Sequence, residues 1–364
     1  MSTVVFACMD ADTLGGIQRV THTVAQGLAE RGHEVHVVGL HRADRPFRYV
    51  ERPDYAHHVI HRTPMGRGGV SRLDLWRERR RLTALFGRLE PGFAVMTSPG
   101  AVTRLKRLLP GHLLPIGQYH GSYRHARGSW HLGSVRRHYG GLEKAVFVSD
   151  DDAWLFSEHA RLPNTWSIPN PLPVWPARTA DPAGSRVIGV GRLEGVKRFD
   201  RLISAFALAR QDVAEDWELH LIGDGEERER LRAHALACGV GEQVVFRGAV
   251  PAAEMSAEYL AGSVLALSSE HEGLPLVVAE AAAHGVPAVA FDVSGGVRSL
   301  IVDGRTGLLV PPADVEAFAT ALGGLMASTA ERRRLGTAAR AHAGDFRLER
   351  VLDRWEALFG HVVR

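Results

Sequence analysis

Two cysteines in 364 residues, Cys8 and Cys238, are too few to staple a fold and have no metal-ligand spacing. That excludes a disulfide scaffold and suggests a reducing compartment. No apolar run approaches the roughly 18 residues of a membrane span. The opening Met-Ser-Thr-Val-Val-Phe-Ala-Cys-Met-Asp has no basic stretch and meets Asp10 too soon for a secretory leader. Low-complexity tracts and short repeats are also missing. A cytoplasmic globular protein is expected, peripheral at most at the inner face of a membrane.

What is present fits that expectation. Hydrophobic residues make up 45% and charged residues 23%, and the length allows two domains with separate cores. The net charge of +3 hides an asymmetry. Residues 1–176 hold 23 Lys+Arg against 15 Asp+Glu, and residues 177–364 hold 21 against 26. A basic half beside an acidic half raises the question of an anionic partner, and an anionic membrane surface is one candidate. Nothing points to nucleic acid.

Short apolar runs alternate with helical periodicity along the chain. Val4–Met9 reads as a strand, Gly15-Gly16 as a tight turn, and Ile17, Val20, Val24 and Leu28 as one helical face. Further strands are expected at Glu34–Gly39, Ala94–Ser98, Leu113–Tyr119 and Ala145–Val148. Residues 41–71 should be loops with at most short strands. The set Leu75, Trp76, Leu82, Leu85, Phe86 and Leu89 suits a helix with arginines mostly off the apolar face. Residues 169–185 hold five prolines and no periodicity, which predicts a linker. The expected organisation is therefore a first domain over 1–170, a linker over 171–185, a second domain over 186–345 and a closing helix over 346–364. After the linker the alternation restarts, with strands near 187–190, 219–222, 244–246, 264–267, 288–291 and 307–310. The fold class is α/β: two doubly wound Rossmann-like domains, with ligands expected in a cleft between their strand ends.

The stretch Ser268–Pro287 carries the strongest chemical signal. A buried strand, a Gly273/Pro275 turn and an Ala-rich helix place the amides of Leu276 and Val277 at a helix N-terminus, an anion site. Glu272 lies in the turn and Glu280 inside the helix, leaning back along the face of Leu276. Arg192 and Lys197, in the Gly-rich loop after the second domain's first strand, would complete a diphosphate cradle. Gly189-Val-Gly191 is a poor dinucleotide fingerprint, because the next glycine is at 195 and no acid follows at the usual separation. Asp10-Ala-Asp12 and Asp150-Asp-Asp152 look like metal-binding pairs, yet the second opens a helix, where carboxylates suit the dipole anyway. No metal and no cofactor are expected. His120 ends a strand and should face the cleft.

Taken together, Gly15-Gly16, the Arg192…Lys197 loop, Gly223-Asp-Gly225, and Glu272 with Glu280 resemble the retaining nucleotide-sugar glycosyltransferases of family 4, the two-Rossmann or GT-B type. The resemblance implies that Arg192 and Lys197 neutralise the diphosphate of a nucleoside-diphosphate sugar, with a UDP-sugar as the expected donor. It implies that Glu280 binds the ribose, that Glu272 with Gly273 and Leu274 meets the donor sugar, and that His120 lies near the sugar's 6-position. Backbone around Arg247-Gly248 would meet the base. Gly-Leu-Pro-Leu follows Glu272 where many members have Gly-Phe-Gly-Leu. Gln118-Tyr-His-Gly-Ser is similar to enzymes that decorate glycerol-phosphate polymers. The implied reaction is metal-independent transfer to a glycan, lipid-linked or small-molecule hydroxyl with retention. A nucleotide-sugar epimerase and a non-catalytic sugar-nucleotide-binding subunit are the alternatives.

Overall fold

The computed structural model describes residues 1–64, 71–213 and 216–363, apart from the side chains of Arg72 and Asp212. The chain forms two compact units: Met1–Pro173 together with Leu348–Arg364, and Val174–Arg347. The expected linker is therefore divided near its start, and most of it belongs to the second unit. The Arg347 and Arg340 guanidinium groups lie 3.8 and 4.8 Å over the Trp175 ring. The Pro182 carbonyl accepts from Arg332 Nε at 2.7 Å. Proline density there marks missing periodicity, and the arginines anchor the segment.

Among the described residues of the first unit, seven parallel strands run β1 (Thr3–Asp10), β2 (Glu34–His41), β3 (Ala56–His61), β4 (Gly92–Met96), β5 (Leu113–Tyr119), β6 (Lys144–Phe147) and β7 (Thr165–Ser167). Their spatial order is β3-β2-β1-β4-β5-β6-β7. The order reverses between β1 and β4, the switch point where doubly wound sheets bind ligands. Val4, Val5, Phe6 and Ala7 are essentially sealed from solvent. Such an unbroken apolar run belongs to a sheet covered on both faces, whereas alternation would mark a half-exposed one.

Helix Gly16–Glu30 buries Val20, Val24 and Leu28. Helix Leu348–Val362 crosses it closely at Gly27, where a Cβ would lie 2.6 Å from Leu352 Cδ1. The same terminal helix brings Trp355 edge-on to Phe6 at 5.8 Å and stacks Phe359 on Phe93 at 4.3 Å. Arg31 secures it through Asp353 at 2.8 Å and Glu356 at 2.5 Å.

β3 is a six-residue strand of the short kind allowed within 41–71, of which residues 65–70 lie outside the described residues. One first-unit expectation needs correction. Helix Arg72–Phe86 exists, but it buries Glu78, Leu82 and Phe86, while Leu75 and Trp76 are 41% and 54% exposed. An acid holds the first place of the core stripe. It can do so because Arg104 Nε donates to Glu78 Oε1 at 3.1 Å and His61 Nε2 meets Oε2 at 2.7 Å.

The second unit repeats the plan with six strands: β8 (Arg186–Val190), β9 (Glu218–Ile222), β10 (Val244–Gly248), β11 (Val264–Leu267), β12 (Ala288–Phe291) and β13 (Gly307–Val310). Their order is β10-β9-β8-β11-β12-β13, again all parallel. The switch point lies between β8 and β11. The loops after β8 and β9 run against each other at backbone distance. Gly223, at φ +139°, is required there, since a Cβ would sit 1.9 Å from the Gly191 carbonyl oxygen.

Candidate active site

The loops after β8 and β11 flank the second unit's switch point and are joined in three places. Ser268 Oγ donates to the Lys197 carbonyl at 2.8 Å, and the Glu270 amide donates to the Val196 carbonyl at 2.9 Å. The third join is an ion pair. Lys197 Nζ donates to Glu272 Oε1 at 2.7 Å, with the side chains 22% and 11% exposed. A pair this shielded keeps more of its attraction than one on an open surface.

Glu272 leads into Gly273, whose carbonyl accepts from Ser294 Oγ at 3.1 Å, and into the buried Leu274. Helix Leu276–Ala283 then begins with Pro275 at its N-cap and no side-chain cap. Pro275 stands one position earlier than a first-turn proline would. The first amides, on Leu276 and Val277, are left without a capping side chain beside the Lys197 cation. That combination suits an anion with several oxygens.

Glu280 lies on the same helix. The Tyr259 hydroxyl donates to Glu280 Oε2 at 2.6 Å, and the Tyr259 ring stacks on His284 at 5.2 Å. His284 is fixed in turn by the Glu280 carbonyl at 2.7 Å and Ser256 Oγ at 2.8 Å. The carboxylate is thus oriented by a rigid aromatic pair, as suits an acceptor of hydroxyl hydrogen bonds. Sequence reasoning missed Tyr259. It comes from helix Met255–Ala261, and no spacing along the chain signals its approach to Glu280.

Arg192 differs from Lys197. Its side chain is 75% exposed and pairs with Glu194 at 2.7 Å, so it stands at the rim of this surface. Arg247 binds Glu258 Oε1 through Nη2 at 2.7 Å and Nε at 3.2 Å, which commits its charge within the unit. The Gly248 backbone, at φ +76°, bonds the Gly223 amide at 2.8 Å. Arg228 was also missed. Its Nη2 donates to the Phe246 carbonyl at 3.3 Å, and its Nη1 faces Asp224 at 3.4 Å. The second unit therefore gathers Lys197, Glu272, Gly273, Leu274, Leu276, Val277 and Glu280 around one helix N-terminus. Arg192 lies on the loop after β8, and Arg247 and Gly248 end strand β10.

The first unit carries the other expected residues at its own strand ends. The Tyr49 hydroxyl accepts from the Gly15 amide and donates to the Thr13 carbonyl, both at 2.7 Å. Gly16 opens the helix that follows. His120 follows β5. Its ring nitrogens are shielded from solvent, and burial holds its pKa at about 4, opposed by Asn170 beside the ring. His120 is therefore a neutral imidazole at ordinary pH.

The aspartate pairs have local duties. Asp12 Oδ1 accepts from the Ala43 amide at 2.8 Å, and Asp10 Oδ1 from Gln18 Nε2 at 3.1 Å. Asp152 accepts from the Ser149 hydroxyl at 2.6 Å and the Tyr123 amide at 2.7 Å.

Two family models match the chain. One, described as Glycosyl transferases group 1, takes residues 179–342, and the other, Glycosyltransferase Family 4, takes residues 14–174. Among curated relatives, an exopolysaccharide phosphotransferase of Streptomyces coelicolor is 28% identical over 99% of this chain, which spans 41% of that protein. An uncharacterized glycosyltransferase of Haemophilus influenzae is 26% identical over 98% of this chain and its own whole length. Among solved structures, Staphylococcus aureus TarM in complex with fondaparinux, alpha-GlcNAc-glycerol and UDP superposes with a TM-score of 0.82. It is 12% identical and covers 99% of this chain and 100% of TarM, a likeness of fold. With one family model on each of its two Rossmann-like units, the chain belongs to the glycosyltransferases of the GT-B type.

Proposed function

We propose that the chain moves a sugar from a nucleoside diphosphate, UDP first among the candidates, to an acceptor hydroxyl with retention and without a catalytic metal. The observation that carries this reading is the Lys197–Glu272 pair beside the uncapped N-terminus of helix Leu276–Ala283. An arriving diphosphate would draw Lys197 Nζ from Glu272 and complete its coordination with the Leu276 and Val277 amides. Glu272, released from the pair, then accepts from hydroxyls of the donor sugar. Ligand binding thereby arms the sugar contact. Arg192 adds charge from the rim, and Glu280, oriented by Tyr259, takes the ribose. Gly248 and its neighbours meet the base.

Negative charge grows on the departing diphosphate as the anomeric bond breaks. Preorganised cations and amides stabilise that growth more than they stabilise the bound donor, which is what lowers a barrier. A retaining hydrolase sets two carboxylates about 5–5.5 Å apart around the anomeric carbon. Here Glu272, once released from Lys197, is occupied by the sugar's hydroxyls, and Glu280 is held by Tyr259 and the ribose. Front-face departure, with the diphosphate oxygen taking the acceptor proton, fits that pairing better than a covalent intermediate.

The acceptor is a glycan, lipid-linked or small-molecule hydroxyl, and an anionic membrane is the proposed docking surface of the first unit. Helix Arg72–Phe86 exposes Leu73 and Trp76, each 54%, with Arg80 Cζ 4.9 Å over the indole and Arg77 and Arg79 alongside. Apolar and basic residues on one exposed helix suit an anionic interface, where each arginine contributes about 1 kcal/mol. Arg104 is not part of this surface, since Glu78 engages it. Wild-type protein should sediment with anionic vesicles in low salt, and Trp76→Ala with Arg80→Ala should not; sedimentation of neither would remove the membrane.

The reaction is tested by incubating UDP- and GDP-sugars with the protein, with and without acceptors, in chelator. Nucleoside diphosphate release is followed, and NMR assigns the new anomeric centre. Retention is expected. An inverted product would overturn the front-face mechanism, and no release from any donor would favour a binding subunit.

A further inference from the structure

The geometry points to a second site, in the first unit, where His41, His61 and Glu78 bind a divalent transition ion of the zinc class. His41 and His61 are the last residues of the adjacent parallel strands β2 and β3 and are direct register partners. Their rings stack at 4.8 Å between centroids and 13° between planes. Glu78 reaches them from helix Arg72–Phe86, and its Oε2 lies 2.7 Å from His61 Nε2. One ligand atom from each residue falls within 4.8 Å of the others. A tetrahedral ion with bonds of about 2.1 Å needs ligand atoms about 3.4 Å apart, a closure that side-chain rotation can supply.

The second observation is what these groups lack. His41 is 5% exposed, and its ring nitrogens make no hydrogen bond of normal geometry, with the Thr63 backbone approaching the ring. A buried polar atom left so is destabilising. An ion pair of Glu78 with Arg104 and His61 would be complete without His41, so it does not account for a second imidazole held beside it. A metal ion accounts for it by taking a lone pair from each ring. Two imidazoles and one carboxylate favour zinc, nickel or copper over magnesium or calcium. Arg104 grips both Glu78 oxygens, Oε1 through Nε at 3.1 Å and Oε2 through Nη2, which aims the carboxylate, so the ion would share Oε2 with the guanidinium. Its positive charge lowers affinity, so binding should be tight enough to titrate but reversible by chelators. The three ligands leave a fourth position for water or another oxygen.

The test uses untagged full-length protein, stripped with chelator and dialysed against Zn2+ at neutral pH, with bound metal counted by mass spectrometry. Co2+ serves as the optical probe. We expect one equivalent of Zn2+, visible d–d absorption with Co2+, and a rise in melting temperature that acidification abolishes as the imidazoles protonate. His61→Gln and His41→Gln should each weaken binding at least tenfold. If His41→Gln does not fold, His61→Gln carries the test, because that side chain is less buried. Absence of stoichiometric Zn2+, or binding untouched by His61→Gln, overturns the site. Neither readout involves nucleotide sugars, so its failure is separate from failure of the transferase reading.

Discussion

Replacing Lys197 with alanine tests the proposed donor site most directly, because the side chain has two separable duties. In the ligand-free protein it neutralises Glu272 at 2.7 Å. Removing one partner of a buried pair costs about 3–5 kcal/mol, and an exposed pair is worth less than about 1. With side chains 22% and 11% exposed, the pair lies between these limits, and a loss of about 1–2 kcal/mol is expected. For a unit of this size that lowers the melting temperature by about 2–8 °C. The second duty appears only as the diphosphate departs. Loss of one preorganised donor commonly raises the barrier by about 3–4 kcal/mol, so kcat should fall about 10²–10³-fold. UDP affinity, a ground-state quantity, should change less than about tenfold. Glu272→Gln separates the duties. It frees Lys197 and should preserve or tighten UDP binding, yet turnover should fall because the sugar loses its acceptor. Initial rates of UDP release and UDP titration calorimetry on both variants supply the numbers. Turnover of Lys197→Ala within about threefold of wild type would refute the cradle, as would weaker UDP binding in Glu272→Gln than in Lys197→Ala.

Three further outcomes are expected. Tyr259→Phe removes the 2.6 Å bond to Glu280 and should raise donor KM about three- to tenfold with kcat little changed; an unchanged KM would show that Glu280 needs no such orientation. Arg332, 1% exposed, bonds the Pro182, Leu325 and Met326 carbonyls and lies 4.9 Å over Trp217. Arg332→Met should therefore cost at least about 3 kcal/mol by urea denaturation, and a loss below about 1 would contradict this account. His120 should make stability fall on acidification. The unfolded chain takes its proton below pH 6.5, while burial delays uptake in the folded chain to about pH 4. The contribution is complete above 6.5 and is lost towards 4, at most about 3 kcal/mol, and His120→Asn should flatten that slope in pH-dependent melts.

How much was legible from the sequence depended on the range of the forces involved. β11, its turn and helix Leu276–Ala283 were readable because an apolar run, Gly273 and Pro275 act within a few residues. The restart of strand–helix alternation after the proline-rich stretch 171–185 likewise announced a second sheet. Glu78 was hidden. Its burial depends on Arg104 and His61, 26 and 17 residues away, and the apolar set drawn without it took in Leu75 and Trp76. Tyr259 was hidden for the same reason, being 21 residues from Glu280. The two cradle cations looked alike in sequence, yet Lys197 turned inward to an acid and Arg192 lies mostly in solvent. Their difference is decided by where the loop after β11 returns, which no local pattern records.

Helix Leu348–Val362 belongs with the first unit, yet the ribosome makes it after the whole of Val174–Arg347. At elongation rates of about 5–20 residues per second, residues 1–173 wait about 10–35 s for the segment that covers Phe6 and Phe93. During that interval the second unit has all of its own strands and can fold first. Newly made first units meanwhile carry an apolar seam shaped for Leu352, Trp355 and Phe359. Crowded nascent chains would be most prone to capture by chaperones, or by one another, during that wait. A nascent chain arrested near residue 347 should bind a hydrophobic-site chaperone more than the released full-length chain does.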